Sequence, residues 1–177
     1  MCRIKGIDEG AELVMFFDKK ILIEVCAPCA GKVVYLDNVP DPAFAERMVG
    51  DGVAIEPSEG KFYSPIEGQL EHLFNTKHAF SVSHGIAEIL VHVGIESLKL
   101  EGEGFTVVKE MEEGTELTKN ELLMEVDLAT LKEKLPSLNT PVLIANYDDV
   151  QDFKVLVAEG SEVAAGDKIF QFSIRKK

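Results

Sequence analysis

The sequence is poor in basic residues. Lysine and arginine number 18 against 31 aspartates and glutamates, so the 177-residue chain carries a formal net charge of −13 at pH 7. A surface that binds nucleic acid would be basic. Long-range repulsion would also slow encounters with free nucleotides or an anionic membrane. The charge balance therefore disfavours these partners and favours a protein that presents a basic face.

Long hydrophobic runs are also missing. Residues 13–17 are apolar, but three charged residues separate them from the next apolar stretch at residues 21–23. Neither stretch approaches the ~20 residues that a helix needs to cross a bilayer, and no signal peptide is visible. Residues 1–20 show no periodic pattern. We predict that residues 1–20 form a flexible N-terminal arm, and that residues 21–177 form one domain of ordinary size.

Cysteine is scarce as well. Cys2, Cys26 and Cys29 are too few for a disulfide framework, which favours a cytoplasmic protein. Cys26 and Cys29 have the spacing of a redox or metal motif, but no second pair completes a zinc site. We interpret them as two reduced thiols at the end of a strand.

Several signatures of enzymes are absent. The sequence contains no phosphate-binding Walker loop, which argues against direct use of ATP. Gly102 and Gly104 lack the third glycine of a dinucleotide fingerprint. No serine or cysteine lies in a recognisable nucleophile elbow.

What the chain does contain is a succession of short strands. Stretches rich in β-branched and aromatic residues are broken at regular intervals by Gly, Pro, Asn and Asp, which predicts an all-β antiparallel sandwich or barrel. Helical spacing is limited to residues 43–49 and to residues 128–135, where Asp127 would be the N-cap. Two faint internal repeats, residues 28–36 with 65–73 and residues 113–126 with 159–172, indicate equivalent hairpins in two packed sheets. The predicted strands are residues 21–26, 32–35, 53–56, 61–63, 68–74, 79–83, 87–93, 121–126, 141–145 and 168–173.

Two of the four histidines lie in apolar surroundings. His92 falls in a predicted buried strand, where alternation places Leu90, His92 and Gly94 on one face. A buried imidazole needs a polar partner, and Gly94 would leave an open space beside the ring. From the residues alone, His92 could be a nucleophile, a ligand or a core residue. His78 lies fourteen positions earlier.

The other two histidines are weaker candidates. His84 precedes Gly85 in a predicted turn, where we expect it to be solvated. His72 lies on a strand that could run to the rim of the site, and we expect at most a minor role for it.

Eight short motifs occur along the chain in a fixed order. They are Ala27-Pro28 with Gly31-Lys32, Val39-Pro40-Asp41-Pro42 with Phe44-Ala45-Glu46, Gly50-Asp51-Gly52-Val53-Ala54-Ile55, Ser64-Pro65 with Gly68, Thr76-Lys77-His78-Ala79, Val91-His92-Val93-Gly94-Ile95, Gly102-Glu103-Gly104-Phe105 and Thr140-Pro141-Val142. Together these motifs resemble the glucose-type IIA domain (EIIA type 1) of the bacterial phosphoenolpyruvate:sugar phosphotransferase system, over about residues 21–177. The resemblance implies an antiparallel β-sandwich of the duplicated hybrid motif type.

The resemblance also implies a function. His92 would accept a phosphoryl group from the histidine-containing phosphocarrier protein HPr and pass it to the IIB domain of a membrane sugar permease (IIBC). His78 would stabilise the phosphate, Thr76 would orient His78, and Gly94 would provide room and a backbone donor. Imidazole suits this chemistry because an unprotonated ring nitrogen is nucleophilic at neutral pH. No cofactor is required, although His78 and His92 could hold zinc at a partner interface.

Residues around the pair would contact the partners. We expect an apolar rim that also excludes water from the phosphohistidine, although Phe80 could equally belong to the core. Acidic residues would face an arginine of the phosphate donor, and Glu96 stands where many relatives carry aspartate. The rim candidates are Phe44, Val49, Phe74 and Phe80, and the acidic candidates are Asp41 and Glu96.

Two other functions remain open at this stage. The chain could be a regulatory binding module whose phosphorylation state is read by transporters or metabolic enzymes. It could, more remotely, be a zinc peptidase of related fold, but that would require a His-x-His pair, and none occurs. The sequence does not reveal which sugar is transported.

Overall fold

Antiparallel strand pairing builds the molecule. The computed structural model describes residues 20–175, and every strand pair within that range is antiparallel. This confirms the predicted fold class. The strands are β1 (Lys20–Cys26), β2 (Gly31–Val34), β3 (Asp51–Pro57), β4 (Lys61–Tyr63), β5 (Gly68–Leu73), β6 (Ala79–His84), β7 (Ala87–His92), β8 (Phe105–Val107), β9 (Glu116–Leu117), β10 (Leu122–Val126), β11 (Thr140–Ile144), β12 (Gln151–Val155), β13 (Glu162–Val163) and β14 (Lys168–Arg175).

The strands form one large sheet and two small ones. The large sheet has the order β13-β2-β3-β11-β7-β6-β5-β9, and the small sheets have the orders β1-β14-β12 and β4-β10-β8. The strands that carry or adjoin the two histidines, β6 and β7, therefore lie inside the large sheet. Two short α-helices, α1 (Pro42–Ala45) and α2 (Leu128–Lys134), connect strands, as do 3-10 turns at Leu36–Asn38, Ser97–Leu100 and Tyr147–Asp149.

The internal repeats correspond to repeated pairings. Gly31 at the start of β2 pairs with Val163 of β13, and Gly68 at the start of β5 pairs with Leu117 of β9. Both glycines lie against a neighbouring strand, since an added Cβ would meet a backbone carbonyl oxygen at 2.1 Å and 2.0 Å respectively. The repeat therefore keeps glycine where two backbones approach too closely for any side chain.

Two apolar clusters lie on opposite faces of the large sheet. Most of the buried residues form a single main core, which includes Ile89, Val91 and Val93 from β7 and the residue after it. A smaller cluster contains Leu36, Val39, Phe44, Ala54, Ile95 and Leu143. It lies beside α1 and fixes Phe44 close to the end of β7.

The ends of the predicted strands agree with the structure to within two residues. Four strands of two to five residues, β8, β9, β12 and β13, were not predicted. The predicted helix over residues 43–49 is wrong in extent: α1 ends at Ala45 because Arg47 adopts a left-handed conformation with φ of 56°. The second predicted helix is confirmed, and Asp127 accepts hydrogen bonds from the backbone of Ala129 and Thr130.

Two further predictions concern the start of the chain. Cys26 is the last residue of β1, and both Cys26 and Cys29 are buried free thiols whose pKa values are raised by burial. The predicted arm lies outside the described residues, apart from Lys20, which begins β1. No helix within residues 20–175 is long and apolar enough to cross a membrane.

Candidate active site

The β6–β7 hairpin brings His78 and His92 together. Ala79 pairs with His92 in the ladder, and the backbone N–H of Val93 donates to the carbonyl of His78 at 2.8 Å. The two imidazoles consequently meet edge to face, with ring centroids 4.9 Å apart and an interplanar angle of 78°. Two sequence-predicted site residues are thus adjacent because of the strand register.

Thr76 fixes the orientation of His78. Its hydroxyl Oγ1 lies 2.5 Å from Nδ1 of His78. The turn that carries Thr76 is closed by a hydrogen bond from the Lys77 N–H to the Phe74 carbonyl, and Lys77 adopts a φ of 56°. With Nδ1 engaged by the hydroxyl, Nε2 is the ring nitrogen of His78 that is left for another partner.

The surroundings of His92 keep its ring neutral. Burial is the main cause that lowers the pKa of His92, to about 4, and the charge of a protonated His78 lowers it further. The Gly94 backbone, the Asp41 carboxylate and the backbone of His92 act in the opposite direction. A neutral imidazole at pH 7 has one unprotonated nitrogen, which is the form that a nucleophile requires.

The two nitrogens of His92 differ in access. Nδ1 is buried and makes no hydrogen bond to any residue within the described range 20–175. The side chain as a whole is partly exposed. Because Nδ1 is buried, a reactant would approach the ring from the side of Nε2. Burial also lowers the pKa of His78. The pair therefore places a neutral, partly accessible imidazole, the form that could act as a nucleophile, beside a second neutral imidazole.

Comparison with known proteins identifies the family. Residues 23–150 match the family model described as phosphoenolpyruvate-dependent sugar phosphotransferase system, EIIA 1. The chain belongs to this family. It is therefore a phosphotransferase component of a sugar transport system and acts as a phosphocarrier.

Individual relatives cover most of the chain. A protein named PTS system glucose-specific EIIA component from Oceanobacillus iheyensis is 42% identical over 146 residues, which are 82% of this chain and 86% of the relative. A protein of the same name from Borreliella burgdorferi is 45% identical over 141 residues, or 78% and 73% of the two chains. Among solved structures, glucose permease IIA from Mycoplasma capricolum superposes with a TM-score of 0.77 at 35% identity, over 88% of this chain and 97% of that one.

Gly94 of this EIIA chain has a different structural role from the one expected. The open space predicted beside His92 is wrong: an added Cβ at Gly94 would lie 2.6 Å from Cδ1 of Leu135. Strand β7 ends at His92, so the chain turns and Gly94 adopts a φ of 77°. Gly94 is therefore needed for a left-handed backbone packed closely against Leu135.

The peptide after Gly94 is held at both of its polar groups. Its carbonyl oxygen, which belongs to Gly94, accepts a hydrogen bond of 3.1 Å from the buried hydroxyl of Ser97. Its N–H, which belongs to Ile95, donates to the carbonyl of Ser137 at 2.9 Å. Sequence reasoning missed Ser97, Leu135 and Ser137, and only the spacing of Ser97 from Gly94 gave any local signal.

Two aromatic residues of the predicted rim adjoin the histidines. The ring of Phe44 lies 5.2 Å from that of His92, measured between centroids, and Phe74 lies 5.4 Å from His78. Phe74 is 44% exposed, whereas Phe44 is buried in the smaller cluster with Val49 packed against it. Met48, beside Val49, is 74% exposed and was not predicted.

Phe80 does not belong to the rim. Its ring is 1% exposed and packs in the main core, so the prediction that it contacts partners is wrong. The physical reason is strand alternation: Phe80 pairs with Val91 and shares the core-facing side of the sheet with it.

The acidic candidates have local partners of their own. Asp41 is the N-cap of α1, where its carboxylate accepts a hydrogen bond of 2.8 Å from the Ala43 N–H. Asp41 is close enough to His92 to raise its pKa. Glu96 is exposed and forms an ion pair with Lys99 at 2.8 Å. An ion pair that is exposed to solvent contributes little to stability.

The remaining histidines lie apart from this pair. His72 is exposed on β5 beside Glu113, whose carboxylate at 3.1 Å raises the pKa of His72. His84 ends β6, with Nδ1 3.2 Å from the Glu67 carbonyl. Within residues 20–175, no group of three or more His, Cys, Asp or Glu side chains is arranged to hold a metal ion.

Proposed function

We propose that His92 is the residue of this phosphocarrier that is phosphorylated, with phospho-HPr as donor and the IIB domain of a membrane sugar permease as acceptor. The observation that carries the proposal is the edge-to-face pair of neutral imidazoles, with ring centroids 4.9 Å apart. One of them has its Nδ1 engaged by Thr76 and the other has a buried Nδ1.

The geometry supports a simple transfer. Nε2 of His92 attacks the phosphorus in line, the N–P bond to His92 forms as the N–P bond of the donor breaks, and the donor imidazole leaves with the electron pair. In the second step, a thiolate of the IIB domain attacks the same phosphorus and His92 leaves. The phosphoryl group is moved without oxidation, reduction or a cofactor.

His78 and Thr76 have supporting roles in this scheme. The Thr76 hydroxyl donates to Nδ1 of His78, so the ring proton resides on Nε2. From there it is donated to a phosphoryl oxygen, where charge accumulates in the transition state. This hydrogen bond gains strength as the reaction proceeds and therefore lowers the barrier.

The rim determines which proteins can dock. Phe74 and Phe44 supply apolar contact on the two sides of the histidine pair, and we assign the exposed Phe74 the larger share. Asp41 and Glu96 add negative charge to a chain that already carries −13. Complementary charge mainly raises the association rate with a basic partner.

The names of the relatives support a proposal for the sugar. Because the matched relatives are named glucose-specific, we assign this chain to a glucose permease. Its partners HPr and the IIB domain would meet it in the cytoplasm. Transfer to purified IIB domains of different sugar specificity tests the assignment, with the fastest transfer expected to a glucose-specific one.

Reconstitution tests the assignment of the site. The protein is incubated with phosphoenolpyruvate, enzyme I and HPr, and the acid-labile phosphate is mapped to a peptide. We expect phosphate on His92 and none after His92→Ala. His78→Gln should still accept phosphate but transfer it onward more slowly, because glutamine keeps an N–H donor and cannot become cationic.

A matched control comes from outside the site. His84→Gln makes the same chemical change at the far end of β6, and it should accept and transfer phosphate like the wild type. Phosphate found on His78, or onward transfer by His78→Gln at the wild-type rate, would contradict the division of roles.

A further inference from the structure

The short helix α1 carries an aromatic ring that lies against His92. Phe44 belongs to this helix, is 6% exposed, and has its ring centroid 5.2 Å from that of His92, a separation at which two rings are in contact. A helix of four residues is too short to be stable through its own hydrogen bonds. Asp41 caps its N-terminus. The position of Phe44 therefore also depends on what holds the chain after α1.

Arg47 follows α1 and joins the segments on its two sides. Its Nη1 and Nη2 donate to the two carboxylate oxygens of Asp37 at 2.8 and 3.2 Å, and its Nε donates to Asp51 at 3.1 Å. Asp37 lies in the 3-10 turn before α1, and Asp51 is the first residue of β3 after it. One guanidinium thus holds both the segment that enters α1 and the segment that leaves it.

The backbone of Arg47 does not by itself account for an arginine at this position. Arg47 is the residue after the C-cap Glu46, and its φ is 56°. Many helices end in a left-handed residue at this position, which is usually glycine because a Cβ there is strained. Arginine keeps the strain and adds a guanidinium that reaches two aspartates. The side chain therefore has a use that the backbone conformation does not explain.

The ion pairs of Arg47 differ from an isolated surface pair. A single exposed pair contributes little to stability. Here two parallel N–H···O bonds join the guanidinium to Asp37, and the same group binds Asp51, whose side chain is only 20% exposed. A bidentate geometry within a network of charges is the arrangement in which surface ion pairs contribute. The contacts of Arg47 can therefore hold the segment that contains α1.

We propose that Arg47 is a positioning residue for phosphoryl transfer: by joining Asp37 to Asp51, it holds α1 so that the Phe44 ring stays packed against His92. If α1 shifts, water reaches the His92 ring and the reacting nitrogen is aligned less well. The inference rests on the proposed role of His92 as the nucleophile. It extends the support of that histidine to a side chain bound to two aspartates.

The test uses two substitutions that break the same contact with opposite changes of charge. Arg47→Met removes the guanidinium and makes the protein more negative, whereas Asp37→Ala removes the carboxylate and makes it less negative. Steering of a basic donor would make the first variant faster and the second slower. Loss of positioning should slow both, and the double variant should be no slower than the slower single variant.

A matched control removes a surface cation elsewhere. Lys168 on β14 forms an ion pair with Glu24 of β1 at 2.6 Å, in the small sheet β1-β14-β12. Lys168→Met changes the net charge as Arg47→Met does, and it also breaks an ion pair. It should leave the reaction and the His92 ring as they are in the wild type.

Two measurements separate positioning from a general effect of charge. The first is the pKa of His92, from an NMR titration of its ring in the unphosphorylated protein. Burial lowers this pKa to about 4, so a ring that Phe44 no longer covers should titrate closer to 6.5. The direct charge effects of Arg47→Met and Asp37→Ala on this pKa have opposite signs, so a rise in both variants reports a loss of burial.

The second measurement is the rate at which phospho-HPr phosphorylates the protein. We expect Arg47→Met and Asp37→Ala each to slow this reaction about fivefold, the size of one ordinary hydrogen bond. Arg47→Lys should give a smaller change of the same sign in both measurements, because an ammonium cannot reproduce the fork of a guanidinium.

Each outcome decides the proposal. A wild-type rate or a wild-type His92 pKa in either single variant would overturn it, as would faster acceptance by Arg47→Met or an equal loss in Lys168→Met. If a single variant fails to fold, Arg47→Lys takes its place, and wild-type values there would overturn the proposal. If phosphate maps to another residue, the proposed function fails, and the pKa of His92 still reports separately on Arg47.

Discussion

Replacing Gly94 with alanine should destabilise the protein and slow phosphoryl acceptance. The left-handed backbone at Gly94 costs an L-residue about 1–2 kcal/mol. The new methyl group would lie 2.6 Å from Cδ1 of Leu135, and such overpacking typically costs about 1–3 kcal/mol. The lower entropy of the unfolded chain returns about 0.4–1 kcal/mol. We therefore expect the free energy of unfolding, measured by urea denaturation, to fall by about 2–4 kcal/mol.

A second glycine isolates the packing contribution. Gly114 also has a left-handed backbone, with φ of 89°, but an added Cβ there would meet nothing within 4 Å. Gly114→Ala should therefore lose only the backbone term, about 1 kcal/mol after the entropic gain. Leu135→Ala in the Gly94→Ala background should cost less than Leu135→Ala alone, because it removes the overlap. Equal losses in the two glycine variants, or additive effects of Gly94→Ala and Leu135→Ala, would refute the reasoning.

Three further predictions concern charge and the N-terminus. The pKa of His92 is lowered from its usual 6.5 to about 4 in the folded protein, so as the pH falls His92 becomes protonated in the unfolded chain before it does in the folded one. The free energy of unfolding should therefore decrease between pH 6.5 and 4, by up to about 3 kcal/mol. Urea denaturation across that range checks this, and His92→Gln should flatten the dependence. Asp41→Lys and Glu96→Lys should slow phosphoryl acceptance, and salt should slow the wild type; only Asp41→Lys should also lower stability, because Asp41 caps α1. Deletion of residues 1–14 should change neither thermal stability nor the phosphorylation rate, and a large drop in melting temperature would contradict the predicted arm.

The central feature of the site could be read from local sequence. A two-residue turn joins β6 and β7, so that His84 pairs with Ala87. Five residues further along the ladder, Ala79 lies opposite His92, and His78 is the residue immediately before Ala79. The same register places Phe80 opposite Val91 on the core face. Strand alternation, taken over both paired strands, therefore excludes Phe80 from the rim.

The support of the site depends on contacts between distant segments, which local patterns do not report. Leu135 reaches Gly94 from the end of α2, and the Ser137 carbonyl accepts from Ile95 across a similar distance along the chain. The prediction of open space at Gly94 assumed that the strand continued past His92. Instead β7 ends there, and the space that a missing side chain would leave is occupied by another element.

Under the proposed function, these supporting contacts explain how His92 could serve two partners in turn. A carrier must expose its nucleophile to two different proteins in turn, so no lid or deep pocket can orient the ring during either reaction. The orientation must instead come from the protein beneath. Here the His92 backbone is held in the interior of the large sheet, Phe44 lies against its ring, and the Gly94–Ile95 peptide is fixed by Ser97 and Ser137. Rigid support on the buried side of the His92 ring leaves its exposed side accessible, so that each partner can supply the remaining contacts when it docks. Sequential transfer between two partners requires this arrangement.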